Sequence, residues 1–531
     1  MLKKETNFIL VLIFLISALA LIPLLYQQFK VTPPHTFFTF AHNYIPDYYQ
    51  YLSWMKDGAD GKILITSRYS ANTFIRQPVY LFYSILGFVT GRLTRTMAFG
   101  YTTARIILGL IRLLVIYWFI SLFFKKTSGR MLAFFLALFL PPFYNLRPFS
   151  LILPNLTSVD ILQRTFFLPH DTATTICLLL GAIYFYQSIK ILNSKLEILN
   201  KSKITNYKLQ IIFCVFFILA SIINPAMTML FLIFFTTGAG ITFLQKPQLR
   251  QKLILGIAAV LLFIGPILFF YQHLFATTLP FSWFNNQQKL VRLTDWRGFF
   301  LLMGPGAILA IFGLPGLLKR KDFMANLVIT WAIIPFLIFP LFGKILPLSQ
   351  ERIFEMSIFL PLAILSTTSL ERIKNINIIK FIMTIIIIFS LPYLYLTIKN
   401  QIKSFAYPYY NIYVPQPTLE AFDWLDQNTP DESVVLSSYY TANMIPAFTH
   451  NKVFFGHDFV TYQAKDRLKD LTFIFDARSD PSQIKKILAD YQVKYIFISP
   501  ESLRPEFTNL SKIGLKPVFE NNQNQIYEFN F

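Results

Sequence analysis

Residues 8–25 read FILVLIFLISALALIPLL, an uncharged stretch about as long as a helix needs to cross the hydrocarbon core of a bilayer. Lys3 and Lys4 precede it, as in a secretory signal peptide. No small-residue cleavage site follows and many more apolar runs do, so the stretch is expected to remain as an uncleaved first helix. Working outward, further runs occupy roughly 97–124, 131–146, 171–190, 209–223, 225–244, 252–272, 298–318, 323–342, 352–370 and 377–397, which makes 11 in all. Loops carrying Lys125, Lys126 and Arg130, then Lys190 through Lys208, then Lys246, Arg250 and Lys252, then Lys319 to Lys321, then Arg372 and Lys374 fall on alternate connections. Basic loops are retained on the cytoplasmic side, so the amino terminus is expected inside and the C-terminal part outside the plasma membrane. The segment 76–92, RQPVYLFYSILGFVTGR, is short: as an interfacial or re-entrant helix it leaves 11 spans, and with a paired break in 93–124 it makes 13.

The composition agrees. Of 531 residues 54% are hydrophobic and 14% charged, with 58 Phe, too apolar a chain for one soluble core. The net charge of +21 sits in the apolar part: residues 398–531 hold 13 Lys/Arg against 15 Asp/Glu, and the rest holds 35 against 12. Basic residues gathered in short loops between apolar runs are anchors, not a nucleic-acid groove, so nucleic acid is excluded as a partner. Cys177 and Cys214 lie within apolar runs and read as small hydrophobes. After residue 397 the pattern changes. TLEAFDWLDQNT reads as a helix, SVVLSS, KVFFG and KYIFIS as short buried strands, and 461–475 and 481–491 as amphipathic helices. The expected architecture is a polytopic α-helical membrane domain over 1–397, with interfacial helices in a first outer loop, 26–78, and an extracytoplasmic α/β domain over 398–531. No internal repeat of the kind seen in secondary transporters is present.

Residues 1–397 contain 12 Asp/Glu, and the topology puts eight on or near the outer side: Asp47, Asp57, Asp60, Asp160, Asp171, Asp295, Glu351 and Glu355. An anion at the bilayer surface loses water, so each needs a partner or a task. Asp47 follows Pro46 at the start of a helix that ends near Gly58, about 11 residues with Tyr48, Tyr51, Leu52 and Met55 on one face. Its carboxylate complements the helix dipole, or acts as a general base toward an acceptor hydroxyl. His170 and Asp171 stand at the next outer helix start, where Asp171 is a cap or a second functional acid. The pair leaves room for a divalent cation such as Mg or Mn, but two or three oxygens and one imidazole do not define a metal site. Arg352 in the turn Lys344–Arg352 opposes a helix dipole and needs an anion: Glu355 three residues on, or a lipid phosphate held by the guanidinium fork. In the tail His457 and Asp458 follow a strand; a loop histidine is more often a hydrogen-bonded surface residue than a catalyst. No Ser-His-Asp order, zinc spacing or phosphate-cradling glycine loop is present.

A short amino-terminal tail and one span, an acid in the first outer loop (PDYYQYLSWMKDGADGK, 46–62), many spans, an arginine near a late outer turn (SQERIFEMS, 349–357) and an outer C-terminal domain together resemble the GT-C superfamily. These are integral membrane glycosyltransferases using polyprenyl-phosphate sugars, similar in architecture to protein mannosyltransferases and aminoarabinose transferases. The resemblance covers nearly the whole chain as architecture, and Asp47 through Gly61 is its most specific stretch. It implies Asp47 as the catalytic acid, Asp171 as an assisting acid and Arg352 as the donor-phosphate ligand. Tyr51, Arg164, His170, Glu351 and His457 are further candidates for touching substrate. The implied partners are a polyprenyl-phosphate sugar, the bilayer, and an acceptor that is a protein, a lipid or a cell-envelope glycan. The chain departs from well-known subfamilies in lacking a doubled acid beside Asp47 and an Asp-x-Asp in the second outer loop.

Two other readings compete. A transporter or flippase would need intramembrane charge, for which Arg105 and Arg112, seven residues apart on one helix face, are the candidates. A glycan ligase or polymerase would take an oligosaccharide on a pyrophosphate carrier.

Overall fold

The computed structural model describes residues 3–94, 96–146, 149–152, 159–191, 200–342, 348–404, 409–476, 478–501, 513 and 515–530. In chain order the helices are α1 Lys3–Tyr26, α2 Ile45–Ala59, α3 Leu81–Thr90, α4 Met97–Ser121, α5 Thr127–Phe139, α6 Pro169–Ile191, α7 Asn200–Ile223, α8 Pro225–Gln245, α9 Arg250–Thr277 and α10 Phe281–Leu290. They continue as α11 Trp296–Leu318, α12 Phe323–Ile338, α13 Glu351–Glu355, α14 Phe359–Glu371, α15 Ile376–Ser404, α16 Gln416–Asn428, α17 Tyr439–Phe448, α18 Ala464–Phe475 and α19 Pro481–Asp490. The strands are β1 Thr36–Phe38, β2 Tyr413–Pro415, β3 Val434–Ser437, β4 Lys452–Val453, β5 Val493–Ile498, β6 Lys516–Glu520 and β7 Gln525–Glu528.

Among the described residues, eight helices (α1, α4, α6, α8, α9, α11, α12 and α15) are long and apolar enough to cross a membrane. Thr127–Phe139, Lys208–Ile223 and Phe359–Glu371 are shorter apolar helices on the remaining expected runs. Every run expected from hydropathy thus carries a helix, and the chain is a multi-pass membrane protein. Two details differ from expectation, and a third decides between the two readings of 76–92. The run at 131–146 stops at Phe139, because Leu140 is extended (ψ 113°) before Pro141-Pro142, which can neither donate to a helix nor tolerate one ahead of them. The run at 352–370 is broken into α13 and α14, with Ser357 at φ 53° between them. The segment 76–92 forms only the 10-residue α3, about 15 Å at 1.5 Å per residue and half a bilayer core, while α4 runs unbroken over Met97–Ser121. Of the turn Lys344–Arg352, residues 344–347 lie outside the described residues.

The chain forms two compact units. The first comprises Met1–Leu25, Ala104–Gln272 and Lys289–Ser404. Its core is a continuous cluster of Leu, Ile and Phe in which Phe185, Phe213, Phe217, Phe235 and Phe323 meet edge to face, as do Phe231 and Trp331 beside them. In lipid, helices gain from close backbone approach more than from apolar burial, and glycines supply it. A Cβ on Gly313 of α11 would stand 1.9 Å from the Leu365 carbonyl oxygen of α14. Gly304, at φ 61° where α11 kinks before Pro305, abuts the Pro141 carbonyl.

The second unit comprises Tyr26–Thr103, His273–Gln288 and Phe405–Phe531, so most of the expected outer segments gather there. One of its borders, 404/405, falls near the expected division at 397/398. Its five-stranded sheet has the order β4-β3-β5-β7-β6, with β3 parallel to β4 and β5, and β7 antiparallel to β5 and β6. Strands β3 and β5 are buried along their length except at Lys494 and are mostly apolar, as strands covered on both faces are. A second, two-stranded sheet pairs Thr36–Phe38 of the first loop with Tyr413–Pro415 of the tail. Helix α2 is longer than expected at 15 residues, and both of its faces are covered: Tyr49, Gln50 and Trp54 are buried along with Tyr48, Leu52 and Met55. It crosses α3 at backbone distance, since a Cβ on Gly58 would lie 1.9 Å from the Ser84 carbonyl oxygen, and one on Gly87 1.9 Å from that of Met55.

This crossing predicts that Gly87→Ala forces α2 and α3 apart and costs about 1–3 kcal/mol, read as a lowered melting midpoint of the detergent-purified protein. Gly240→Ala, where the added Cβ meets nothing within 4 Å, leaves the midpoint unchanged.

Candidate active site

The eight acids expected on the outer side divide by what holds them. Asp57 faces the buried Arg68 (Oδ1 to Nη2, 3.6 Å), whose guanidinium also donates to the Ser53 and Thr449 carbonyls. Asp60 accepts from His450 at 2.8 Å. Asp295 caps α11 through the Gly298 N–H at 2.7 Å. Asp160 accepts the N–H groups of Leu162 and Gln163, and burial pushes its carboxyl up to about 6 in spite of them. Glu355 receives the Arg352 guanidinium at 2.8 and 3.0 Å. These five carry structural work. Asp47, Asp171 and Glu351 remain.

In the second unit, Pro46 starts α2 and puts Asp47 in its first turn, where the free N–H groups favour an anion. Its side chain is 32% exposed, and its Oδ1 lies 2.6 Å from Nε2 of His457, a residue 410 positions away with a side chain fully shielded from water. The Phe459 N–H donates to Nδ1 of the same ring at 3.2 Å. Nδ1 is therefore an acceptor, and the hydrogen-bond network assigns the ring proton to Nε2, pointing at Asp47. Asp458 stands 3.6 Å from Nδ1 and accepts from the hydroxyls of Tyr44 and Tyr439. Burial, with Asp458 alongside, pushes the Tyr44 phenol far above its ordinary value, so it stays a donor.

In the first unit, His170 and Asp171 open α6, with His170 Nε2 3.3 Å from Asp171 Oδ1. Asn224, which caps α8 ahead of Pro225, donates to the same oxygen at 2.8 Å. Arg352, Glu351 and Arg112 stand near enough to act on the charge of Asp171. Arg105 donates to the Phe166 carbonyl at 2.8 and 3.0 Å, and Arg112 to those of Gln163 and Arg164. The two arginines that raised a transporter reading thus anchor the segment ahead of α6. Arg164 is buried as well, donating to the Val159 and Leu138 carbonyls beneath a cation–π contact, 3.6 Å to the centroid of Phe359.

Of the residues singled out from sequence, Asp47 and His457 are brought together in one unit, and His170, Asp171, Glu351 and Arg352 in the other. Tyr51 packs in an aromatic stack, 4.4 Å from the Tyr83 ring, and Arg164 holds backbone; both are occupied by structure. Sequence reasoning passed over Asn224, although Asn-Pro ahead of an apolar run is a helix-start signal. It also missed Tyr44 and the part played by Asp458, for which no local pattern existed. Among the described residues no group of three or more His, Cys, Asp or Glu converges in one place.

Compared with models of protein families and with curated proteins, the chain has no match. Among solved structures it has the fold of the GT-C class. It is similar to the oligosaccharyltransferase AglB from Archaeoglobus fulgidus in complex with an inhibitory peptide and a dolichol-phosphate, at 12% identity and TM-score 0.55 over 96% of this chain and 71% of that one. It is similar also to ArnT from Cupriavidus metallidurans bound to undecaprenyl phosphate, at 12% identity and TM-score 0.51 over 99% and 98%.

A prediction follows from His450, which lies between Asp426 (2.6 Å) and Asp60 (2.8 Å), while Lys56 reaches Asp426 at 3.1 Å. The two carboxylates, Asp426 first, raise the imidazole from its ordinary 6.5 to about 9. A raised folded-state value means that this contribution to stability is complete below the unfolded value and is lost as pH rises through the folded one. The melting midpoint of the wild type should therefore fall by several degrees between pH 6.5 and 9.5, and His450→Gln should flatten that dependence. Equal slopes for the two proteins would remove His450 as the cause.

Proposed function

We propose that the chain is an integral membrane glycosyltransferase that moves a sugar from a polyprenyl-phosphate carrier to an acceptor outside the cytoplasm. The observation that carries this reading is the Asp47 carboxylate: at a helix start in a GT-C-like fold, with access to water, and with one oxygen held by a buried imidazole. The lipid class is extended from the neighbours, whose structures hold dolichol-phosphate and undecaprenyl phosphate. The basic loops support a cytoplasmic amino terminus and an outward residue 398–531 region in the plasma membrane.

In this mechanism Asp47 takes the proton of the acceptor hydroxyl as its oxygen attacks the anomeric carbon. The bond from that carbon to the phosphate oxygen breaks on the opposite face, and the configuration inverts. Negative charge grows on the departing polyprenyl phosphate, and the guanidinium of Arg352 stabilises it more in the transition state than before. Asp171, oriented by Asn224, assists in holding the substrate. The acceptor is a protein, a lipid or an envelope glycan. A second reading, transfer of a whole oligosaccharide as by a ligase, draws on the likeness to an oligosaccharyltransferase.

Asp47→Asn is expected to lower sugar transfer by about 10²–10⁴-fold with expression and membrane insertion unchanged; full activity would reject the assignment. Arg352→Gln is expected to lower kcat by about 10²-fold. Its loss would show in steady-state release of the lipid phosphate.

A further inference from the structure

A histidine wholly out of water is costly unless both ring nitrogens are matched, and His457 has both matched, Nδ1 by a backbone N–H and Nε2 by Asp47. The loop that carries it is fastened on several sides. The Val453 N–H donates to the Arg68 carbonyl at 2.9 Å, Ser70 bridges to Phe455, and the Thr461 hydroxyl donates to the Tyr69 carbonyl at 2.7 Å. The N–H groups of Val460 and Thr461 close back on the His457 carbonyl at 3.1 and 2.8 Å. Even Gly456 is tight: a Cβ there would stand 2.9 Å from the ring of Tyr69. The imidazole is fixed before any substrate arrives.

We infer that His457, supplied by the C-terminal region, is the positioning residue of the Asp47 base, holding its Oδ1 through a fixed Nε2–H so that Oδ2 is aimed at the acceptor. This rests on the function proposed above and adds to it a residue from the other end of the chain. The ring needs no change of protonation. The acceptor proton goes to Oδ2, Oδ1 becomes the carbonyl-type oxygen of the acid, and it still accepts the Nε2–H. The imidazole keeps its own proton throughout, because Nδ1 is already taken by the Phe459 N–H. A base that loses this hold swings about its side-chain torsions, and misplacement by about 1 Å costs on the order of 10²-fold in rate. The C-terminal region is then part of the chemistry as well as of any acceptor recognition.

The test uses the full-length protein and three substitutions. Glutamine carries its amide nitrogen near the Nε2 position of histidine, whereas asparagine carries its own near Nδ1. With the polyprenyl-phosphate sugar that supports turnover, His457→Gln should stay within several-fold of wild type, and His457→Asn and His457→Ala should lose about 10²-fold in kcat with KM for the lipid unchanged. Added imidazole should restore part of the loss in His457→Ala. Equal activity of the Gln and Asn variants would overturn the inference, and that comparison stands if the alanine variant fails to fold. Loss in Asp47→Asn with full activity in His457→Asn would sink this inference alone; full activity in Asp47→Asn would sink the functional reading beneath it. Independently of turnover, nitrogen-15 spectra of histidine-labelled protein should show one Nε2–H tautomer that disappears in His457→Gln and shifts in Asp47→Asn. An Nδ1–H tautomer at that signal would contradict the assignment whatever the activity.

Discussion

Charge held away from water must be answered by a partner, because an unpaired buried ion costs several kcal/mol even after its surroundings relax. That constraint orders the ionisable residues of this chain. Glu5 on α1 is gripped by Arg130 through both oxygens, at 2.7 and 2.8 Å, and Asp322 caps α12 while pairing with Arg320. Arg105, Arg112 and Arg164 answer backbone carbonyls, and Arg68 answers Asp57 together with two carbonyls. Once such pairs are set aside, a carboxylate that keeps access to water yet is held by a buried imidazole has a different character. Asp47 is such a carboxylate, and the proposed function gives it the acceptor's proton to take.

The second unit depends on segments far apart in the chain. Its first-loop helix α2 is fastened by Lys56 to Asp426, at its C-cap by Asp60 to His450, and by a hydrogen bond between Asp47 and His457, three polar links to the tail. Partly shielded links of this kind add modest stability each, and together they fix how α2 is rotated. Since Asp47 sits on that helix, its direction is set by the same contacts that hold the unit together.

Much of this was legible in the sequence. Hydropathy marked every apolar helix, and short apolar runs and amphipathic periods marked β3, β4, β5, α16, α18 and α19 of the tail, because burial writes itself into neighbouring residues, whereas α17, β6 and β7 were not marked. The break between α13 and α14 was not legible, since Ser357 at φ 53° is set by surroundings and not by a glycine or proline. Nor was the burial of both faces of α2: Tyr48, Tyr51, Leu52 and Met55 read as one interfacial face, and the tail residue Asn411 that meets Tyr49 on the helix lies 362 positions on. The link between Asp47 and His457 spans 410 positions and leaves no local trace. The Arg352–Glu355 pair, three residues apart on one turn, could be read in advance and is present.

The most direct measurement is to incubate the purified protein with a panel of polyprenyl-phosphate sugars, mono- and oligosaccharide, and to follow release of the free lipid phosphate together with the anomeric configuration of the product. The account predicts that at least one donor is consumed and that its sugar emerges inverted. Retained configuration, or no donor consumed across the panel by correctly inserted protein, would contradict it.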